Sequence, residues 1–374
     1  MIRLRHASAC RFFISKEKNV KKSVWLLAPL FLLLGSVSAM AKDAPLKVKA
    51  VIVTMFEIGE DEGDKAGEFQ MWKERYGLDT RYPFPQSFHD IYANKEKGVL
   101  AIVTGMGTAK SSSAIMALGL DPRFDLTQAY WLVAGIAGMD PNDGTVGSAV
   151  WARYLVDGDL AHQIDAREIP ESWPTGYFPL FAHEPKTQKT DEAPKALNGE
   201  MYTLNTGLSE WAYQQTKSLK LMDTDAMAAL RAKYTDYPKA QAAPTVMMGD
   251  HLAASTFWHG KMLNDWANHW VSYWTHGKGN FVTSGMEDTG SYQSMIYLDR
   301  AGKADKDRFM VLRTASNFTM QPAGLTAAEN LKAESSGAGY AGMVPSLEAA
   351  YLVGSTVIEE LLAHWDQYEA TPPK

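Results

Sequence analysis

Cysteine is almost missing from this chain: 374 residues carry one, Cys10. A disulfide framework is excluded, and beyond residue 10 so is a cysteine nucleophile. Long apolar runs are missing too. The run VWLLAPLFLLL, 24–34, stops at 11 residues, against roughly 20 for a helix that spans a bilayer. Basic residues are outnumbered, 37 against 43 acidic, for a formal charge of −6. A broad basic face is therefore not expected, and nucleic acid is not a predicted partner. The histidines form neither HExxH nor another close metal pair, and no GxSxG elbow occurs. Metallohydrolase and serine-hydrolase chemistry lose their usual residues, and neither a metal nor a cofactor is expected. What is present is 46% hydrophobic and 21% charged, the composition of a globular chain with a sizeable core.

The first 41 residues read as an export segment. Arg3, Arg5, Arg11, Lys16, Lys18, Lys21 and Lys22 stand against one acid, Glu17. The short apolar run follows, and then GSVSAMA, with small residues at Ala39 and Ala41. That order predicts a secretory signal cut after Ala41, with a periplasmic or secreted product. Seven of the 37 basic residues and one of the 43 acidic residues lie in this stretch. The remaining 333 residues therefore carry −12 and no cysteine.

Beyond residue 41, short apolar runs alternate with helical patterns. KVKAVIVTM (47–55), GVLAIVTGMG (98–107), AYWLVAGIAGM (129–139), GSAVWARYLVD (147–157), NFVTSGM (280–286) and RFMVLRTAS (308–316) read as strands. Each ends in small or polar residues, which predicts an α/β fold around a parallel or mixed sheet, with ligands at the carboxyl ends of its strands. Apolar residues at three- and four-residue steps predict a last long helix over 345–365. The stretch 158–245 shows no core pattern of its own and reads as an elaboration on one domain spanning 42–374. An unusually aromatic stretch, 249–280, follows, and packing or surface roles rather than metal binding are expected for its histidines, His251, His259, His269 and His276.

Several loops carry chemistry or plain turn geometry. GMGTAKSSSA (105–114) links a strand to a helix, a geometry that suits either an anion or a tight turn. FEIGEDEGDKAGEFQ (56–70) holds six acids, five of them before Lys65. It lacks EF-hand spacing, so most of its acids are expected in solvent, with Glu57 or Glu60 aimed at a site. TSGMEDTG (283–290) and RTASNF (313–318) end strands in a carboxylate, Glu287, and an amide, Asn317. Such a pair could hold a polyol and a heteroaromatic ring, or simply cap loops.

In order, these pieces resemble the nucleoside phosphorylase and nucleosidase superfamily. The closer resemblance is to the purine nucleoside permease family, through VIVTMFEIGEDEGDKAGEFQMW, GIAGMDPNDGTVGSAVWARYLVDGDLAHQIDARE, TSGMEDTG and RTASNF. The resemblance implies a nucleoside phosphorylase-like, three-layer αβα fold with a central mixed sheet. It implies a purine nucleoside as ligand, with Glu287 on the ribose hydroxyls and Met286 beneath the sugar. Asn317 would hydrogen-bond the base, and Phe257 or Trp258 would stack on it. Gly105, Gly107 and Thr108 would hold the attacking water or phosphate. Many relatives carry aspartate as general acid where Asn317 stands, and an amide cannot donate a full proton. Phosphorylases of the superfamily commonly place an arginine in the first-strand loop; here Glu57 and Glu60 stand there, which favours water over phosphate. Arg81 and Lys110 are the cations left to serve phosphorolysis. The implied role is uptake of nucleosides, with a membrane transporter as partner and with or without cleavage of the N-glycosidic bond. The alternative is a periplasmic hydrolase or phosphorylase without a transport role, and relatives suggest a homo-oligomer.

Overall fold

Alternation along the strands builds the layers. The computed structural model describes residues 44–185, 193, 195–196, 198–334 and 341–374, so the predicted export segment lies outside the described residues. Residues Ala44–Lys374 cluster as one unit. In strand order along the chain, β1 (Leu46–Lys47) pairs β6 (Phe124–Asp125), and β9 (Ala161–Gln163) pairs β10 (Tyr177–Pro179). The main sheet contains β2 (Ala50–Thr54), β3 (Thr80–Tyr82), β4 (Ile91–Asn94), β5 (Val99–Val103), β7 (Tyr130–Met139) and β8 (Ala149–Asp157). It is completed by β11 (Met201–Thr203), β12 (Val246–Ala253), β13 (Phe281–Gly285) and β14 (Phe309–Phe318).

Val51 and Val53 of β2 face one layer with Leu100 and Ile102 of β5, against α2 (Thr108–Gly119) and α6 (Asp288–Arg300). Ala50 and Ile52 face the other, with Trp72 of α1 (Gln70–Arg75) and Val353, Val357 and Ile358 of α8 (Met343–Ala363). Both faces are therefore covered, which is why these strands read as continuous apolar runs. The elaboration at 158–245 supplies β9, β10, the edge strand β11, α3 (Thr206–Thr216) and α4 (Asp225–Arg231). Trp266 and Trp270 of α5 (Lys261–Trp274) anchor a third, aromatic cluster. The chain closes with α7 (Ala327–Glu334), then α8, then α9 (Trp365–Tyr368). Among the described residues, no helix is long and apolar enough to cross a membrane.

The sheet is mixed, as expected. β2, β5, β7 and β14 are parallel, whereas β8 meets β14 antiparallel. Pairings β7–β14, β14–β8, β8–β12, β12–β13 and β13–β7 close on themselves. The last of these is antiparallel and short, Thr283 with Met139 and Ser284 with Gly138, so the carboxyl ends of β7 and β13 meet. That junction places the Met286-Glu287 turn beside the end of β14. Strand β12 differs from the sequence reading, which begins its aromatic stretch inside it. Its Asp250 and His251 are fully buried, and two interior polar residues erase the apolar signature.

Candidate functional site

The carboxyl ends of β7, β13 and β14 and the loop after β2 surround a cavity of about 140 Å³. Its charged walls are Glu68, Glu287 and Arg313, and Met55, Met106, Met286 and Phe257 form much of its apolar lining. The three charges are linked. Arg313 Nη2 donates to Glu287 Oε2 at 2.9 Å and to Asp288 Oδ2 at 2.6 Å, while its Nε donates to Asp288 Oδ1 at 3.1 Å. His251 Nε2 lies 2.8 Å from Asp288 Oδ2, and Thr283 Oγ1 lies 3.0 Å from the other ring nitrogen. Burial alone would raise Asp288, but the Arg313 and His251 charges outweigh it and hold its carboxyl well below the usual range. Arg313 correspondingly stays protonated, because its carboxylate neighbours outweigh its own burial. Gly135 makes room for this network, since a Cβ there would stand 2.6 Å from Arg313 Nη1 and 2.9 Å from Glu68 Oε1.

Glu68 is the acidic side chain of the first-strand loop that reaches the cavity. Met55 N–H donates to Oε2 at 2.8 Å and Ile136 N–H to Oε1 at 2.7 Å. Burial pushes its carboxyl up to about 7; Arg313 opposes that shift, and the Glu287 charge adds to it. A carboxyl held there exchanges its proton near neutrality, as a general base for water must.

The acids expected from the sequence in this role lie elsewhere. Glu57 Oε2 accepts from Phe69 N–H at 2.9 Å and Gln70 N–H at 2.6 Å, and Oε1 accepts from Ile58 N–H at 2.8 Å and from Gly67 N–H. That carboxylate fixes the loop onto the start of α1, where the exposed N–H groups favour an anion. Glu60 is exposed, and its N–H donates to Asp64 at 3.1 Å. Neither Glu57 nor Glu60, the acids expected at the site, lines the cavity; Glu68 is the acid of this loop that does. Asp61 and Glu62 are held locally as well, by His89 and Tyr92 and by Lys73.

The glycine-rich loop supports the site more than it lines it. Gly107, at φ +98°, donates its N–H to Glu287 Oε1 at 3.0 Å. Thr108 N–H donates to Ser255 Oγ at 3.2 Å, and Thr108 Oγ1 donates to Met286 O at 3.2 Å. Gly107 and Thr108 thus dock the loop on the Met286-Glu287 turn, Gly105 lies beside Lys110 and Phe88, and Met106 is the loop's residue at the cavity. The Gly107 and Thr108 N–H groups are engaged within the chain, and none of Gly105, Gly107 and Thr108, the residues expected at phosphate or water, lines the cavity. Phe257 lines the cavity and is 58% exposed. Trp258 is buried against Trp266 and Phe281 and touches only an adjoining recess. Asn317 lines the cavity beside Ser316. The two candidate phosphate cations do not line it: Arg81 pairs with Asp90 at 2.7 Å on the surface, and Lys110 lines a separate shallow recess.

Residues 47–373 match the family model described as purine nucleoside permease. The chain belongs to the purine nucleoside permease family. A purine nucleoside permease of Candida albicans is 31% identical over 328 residues, covering 86% of this chain and 77% of that protein. A probable purine nucleoside permease of Schizosaccharomyces pombe is 26% identical over 364 residues, covering 92% and 98%. Among solved structures, futalosine hydrolase of Helicobacter pylori is similar with a TM-score of 0.49 at 14% identity, covering 84% of this chain and 99% of that one. A 5'-methylthioadenosine/S-adenosylhomocysteine nucleosidase of the same organism gives 0.47 at 14%, covering 85% and 99%.

Sequence reasoning about this permease-family chain missed Glu68, Arg313, Asp288 and His251 as residues of the site. Signals existed for two of them. Glu68 is the loop acid next to the apolar stretch that opens α1, and Arg313 is a charge inside an otherwise apolar strand. A buried arginine requires a partnered carboxylate nearby.

Proposed function

We propose that this protein is an exported purine-nucleoside-binding protein that serves nucleoside uptake with a membrane transporter, and that its cavity cleaves the N-glycosidic bond with water. The observation that carries this reading is Glu68, a buried carboxyl poised near pH 7 in the same cavity as Glu287. Glu287 is proposed to take the ribose hydroxyls through Oε1 and Oε2, oriented by Gly107 N–H and Arg313. Met286 would lie under the sugar, Phe257 against the base, and Asn317 at the base edge.

In the reaction, ionised Glu68 accepts a proton from water as the oxygen attacks C1' of the sugar. The C1'–N9 pair of electrons leaves with the purine as its anion, which takes a proton from solvent water, and Glu68 returns its own proton to solvent to complete the cycle. Water is favoured over phosphate by charge. The cation on the cavity wall, Arg313, is already paired with Glu287 and Asp288, so a phosphate dianion would meet two carboxylates and one neutralised guanidinium.

Chromatography of inosine and adenosine incubated with purified protein tests the reading. Free base in phosphate-free buffer is expected. Base released only on adding phosphate would overturn hydrolysis in favour of phosphorolysis. Micromolar nucleoside binding without turnover would leave a binder alone, and no binding would overturn the proposal entirely.

A further inference from the structure

Asn317 cannot carry the proton that an aspartate would bring to a departing purine, yet a titratable carboxyl stands directly behind it. Asn317 Nδ2 donates to Phe318 O at 3.1 Å and to Glu334 Oε2 at 3.5 Å, while Oδ1 accepts from Ser316 Oγ at 3.0 Å. Both amide N–H groups are thus engaged within the chain. A purine presents N7 as an acceptor on the edge such an amide would read. To donate to it, Asn317 must withdraw a hydrogen from Phe318 O or from Glu334. The backbone carbonyl is fixed, whereas the carboxyl can change charge.

We propose that Glu334 is the positioning residue of the base end: ionised, it holds the Asn317 amide to itself, and protonated, it releases that amide to the purine. A hydrogen bond to a charged acceptor is about twice as strong as one to a neutral acceptor, so the two states compete with a ligand unequally. The surroundings leave the switch to Glu334. Asn330 Nδ2 donates to Glu334 Oε1 at 2.8 Å and to His259 Nε2 at 3.0 Å. That arrangement puts the ring proton on Nδ1, which lies 3.8 Å from Glu334 Oε2. Burial lowers His259 to about 4, so the ring is uncharged near neutrality. Tyr234, behind the same carboxyl, donates its hydroxyl to Met320 O at 2.9 Å and is raised by burial far above neutral pH. Burial also pushes the Glu334 carboxyl up to about 7, against the hydrogen bonds from Asn330 and Asn317.

This inference rests on the base end of the proposed nucleoside site but not on cleavage. It is tested by calorimetric affinity of adenine and 7-deazaadenine between pH 5.5 and 8.5. Wild-type protein should bind adenine about tenfold more weakly at pH 8.5 than at pH 5.5, and 7-deazaadenine with no such change. Glu334→Gln, a neutral mimic of the protonated state, should bind adenine equally at both ends of the range and as tightly as wild type at pH 5.5. Asn317→Ala should bind weakly at every pH. A flat wild-type profile, or pH dependence that survives in Glu334→Gln, would overturn this inference even where nucleoside cleavage is seen. pH-dependent adenine binding without any cleavage would overturn hydrolysis and leave it standing. Failure of adenine to bind at any pH would overturn this inference, while free base released from inosine or adenosine would still support the cleavage reading.

Discussion

Glu287 works under two constraints, and they can be separated. Its Oε1 is fixed by Gly107 N–H and its Oε2 by Arg313, so the carboxylate is oriented before a sugar arrives. Glutamine at this position keeps one acceptor for Gly107 and replaces the other oxygen with an amide that repels Arg313. Arg313 is not orphaned, because Asp288 holds it through two bonds. Glu287→Gln should therefore fold, and should lose a charge-assisted hydrogen bond to each nucleoside it meets. Ribonucleoside affinity is expected to fall about ten- to a hundredfold, in keeping with about 1.5–3 kcal/mol for such a bond, while free-base affinity stays within about threefold. Calorimetry with inosine and hypoxanthine reads the difference. An equal loss for both ligands would remove Glu287 from the ribose.

Among elements, the least regular part of the site depends most on a single side chain. Helix α1 has six residues, too short to persist on its own, and the middle of the loop before it, 59–65, is polar throughout. Glu57 gathers four backbone N–H groups from both ends of that loop, and it is buried while doing so. Glu57→Ala should leave those donors without partners and destabilise the protein by about 2–3 kcal/mol in urea unfolding. At a temperature where the variant remains folded, its activity should persist, since Glu57 does not line the cavity. Lost activity with unchanged stability would return Glu57 to the catalytic role expected from sequence.

The same contrast explains what could be read in advance. The strands of the central sheet announce themselves because both faces are buried, as with Val51 and Ile52 pointing to opposite layers. The turn after β13 and the carboxyl end of β14 are recognisable because Met286-Glu287 and Ser316-Asn317 come at the ends of short, largely apolar runs. Glu68 was hidden among six acids, since composition cannot say which carboxyl a folded loop turns inward. Strand β12 was hidden by its own function in the fold, because Asp250 and His251 occupy core positions that only partners on β8 and β13 and at Asp288 can satisfy.

At the scale of the whole molecule, stability and chemistry pull the same protons in opposite directions. Glu68 and Glu334 each rise from 4.5 in the unfolded chain to about 7 in the folded one, chiefly through burial. Below pH 4.5 both states hold these protons, and the native fold keeps its full benefit. Between 4.5 and 7 the unfolded chain releases them first, so stability falls as pH rises, and above 7 the loss is complete. Each group accounts for about 3 kcal/mol of that fall as an upper bound. His259, lowered to about 4, acts in the opposite sense between 4 and 6.5, because the unfolded ring takes up a proton that the folded one refuses. A comparison with Glu68→Gln cancels that term and every other carboxyl. Relative to wild type, the variant should gain stability steadily from pH 4.5 to 7 and then hold a constant difference up to pH 8.5, as read by urea unfolding. Parallel curves would mean that Glu68 has no raised pKa and is no base. The proposed cleavage needs the ionised form, so wild-type turnover should rise as pH approaches and passes 7, and Glu68→Gln should lose that turnover together with its own share of the stability decline, leaving the share that belongs to Glu334.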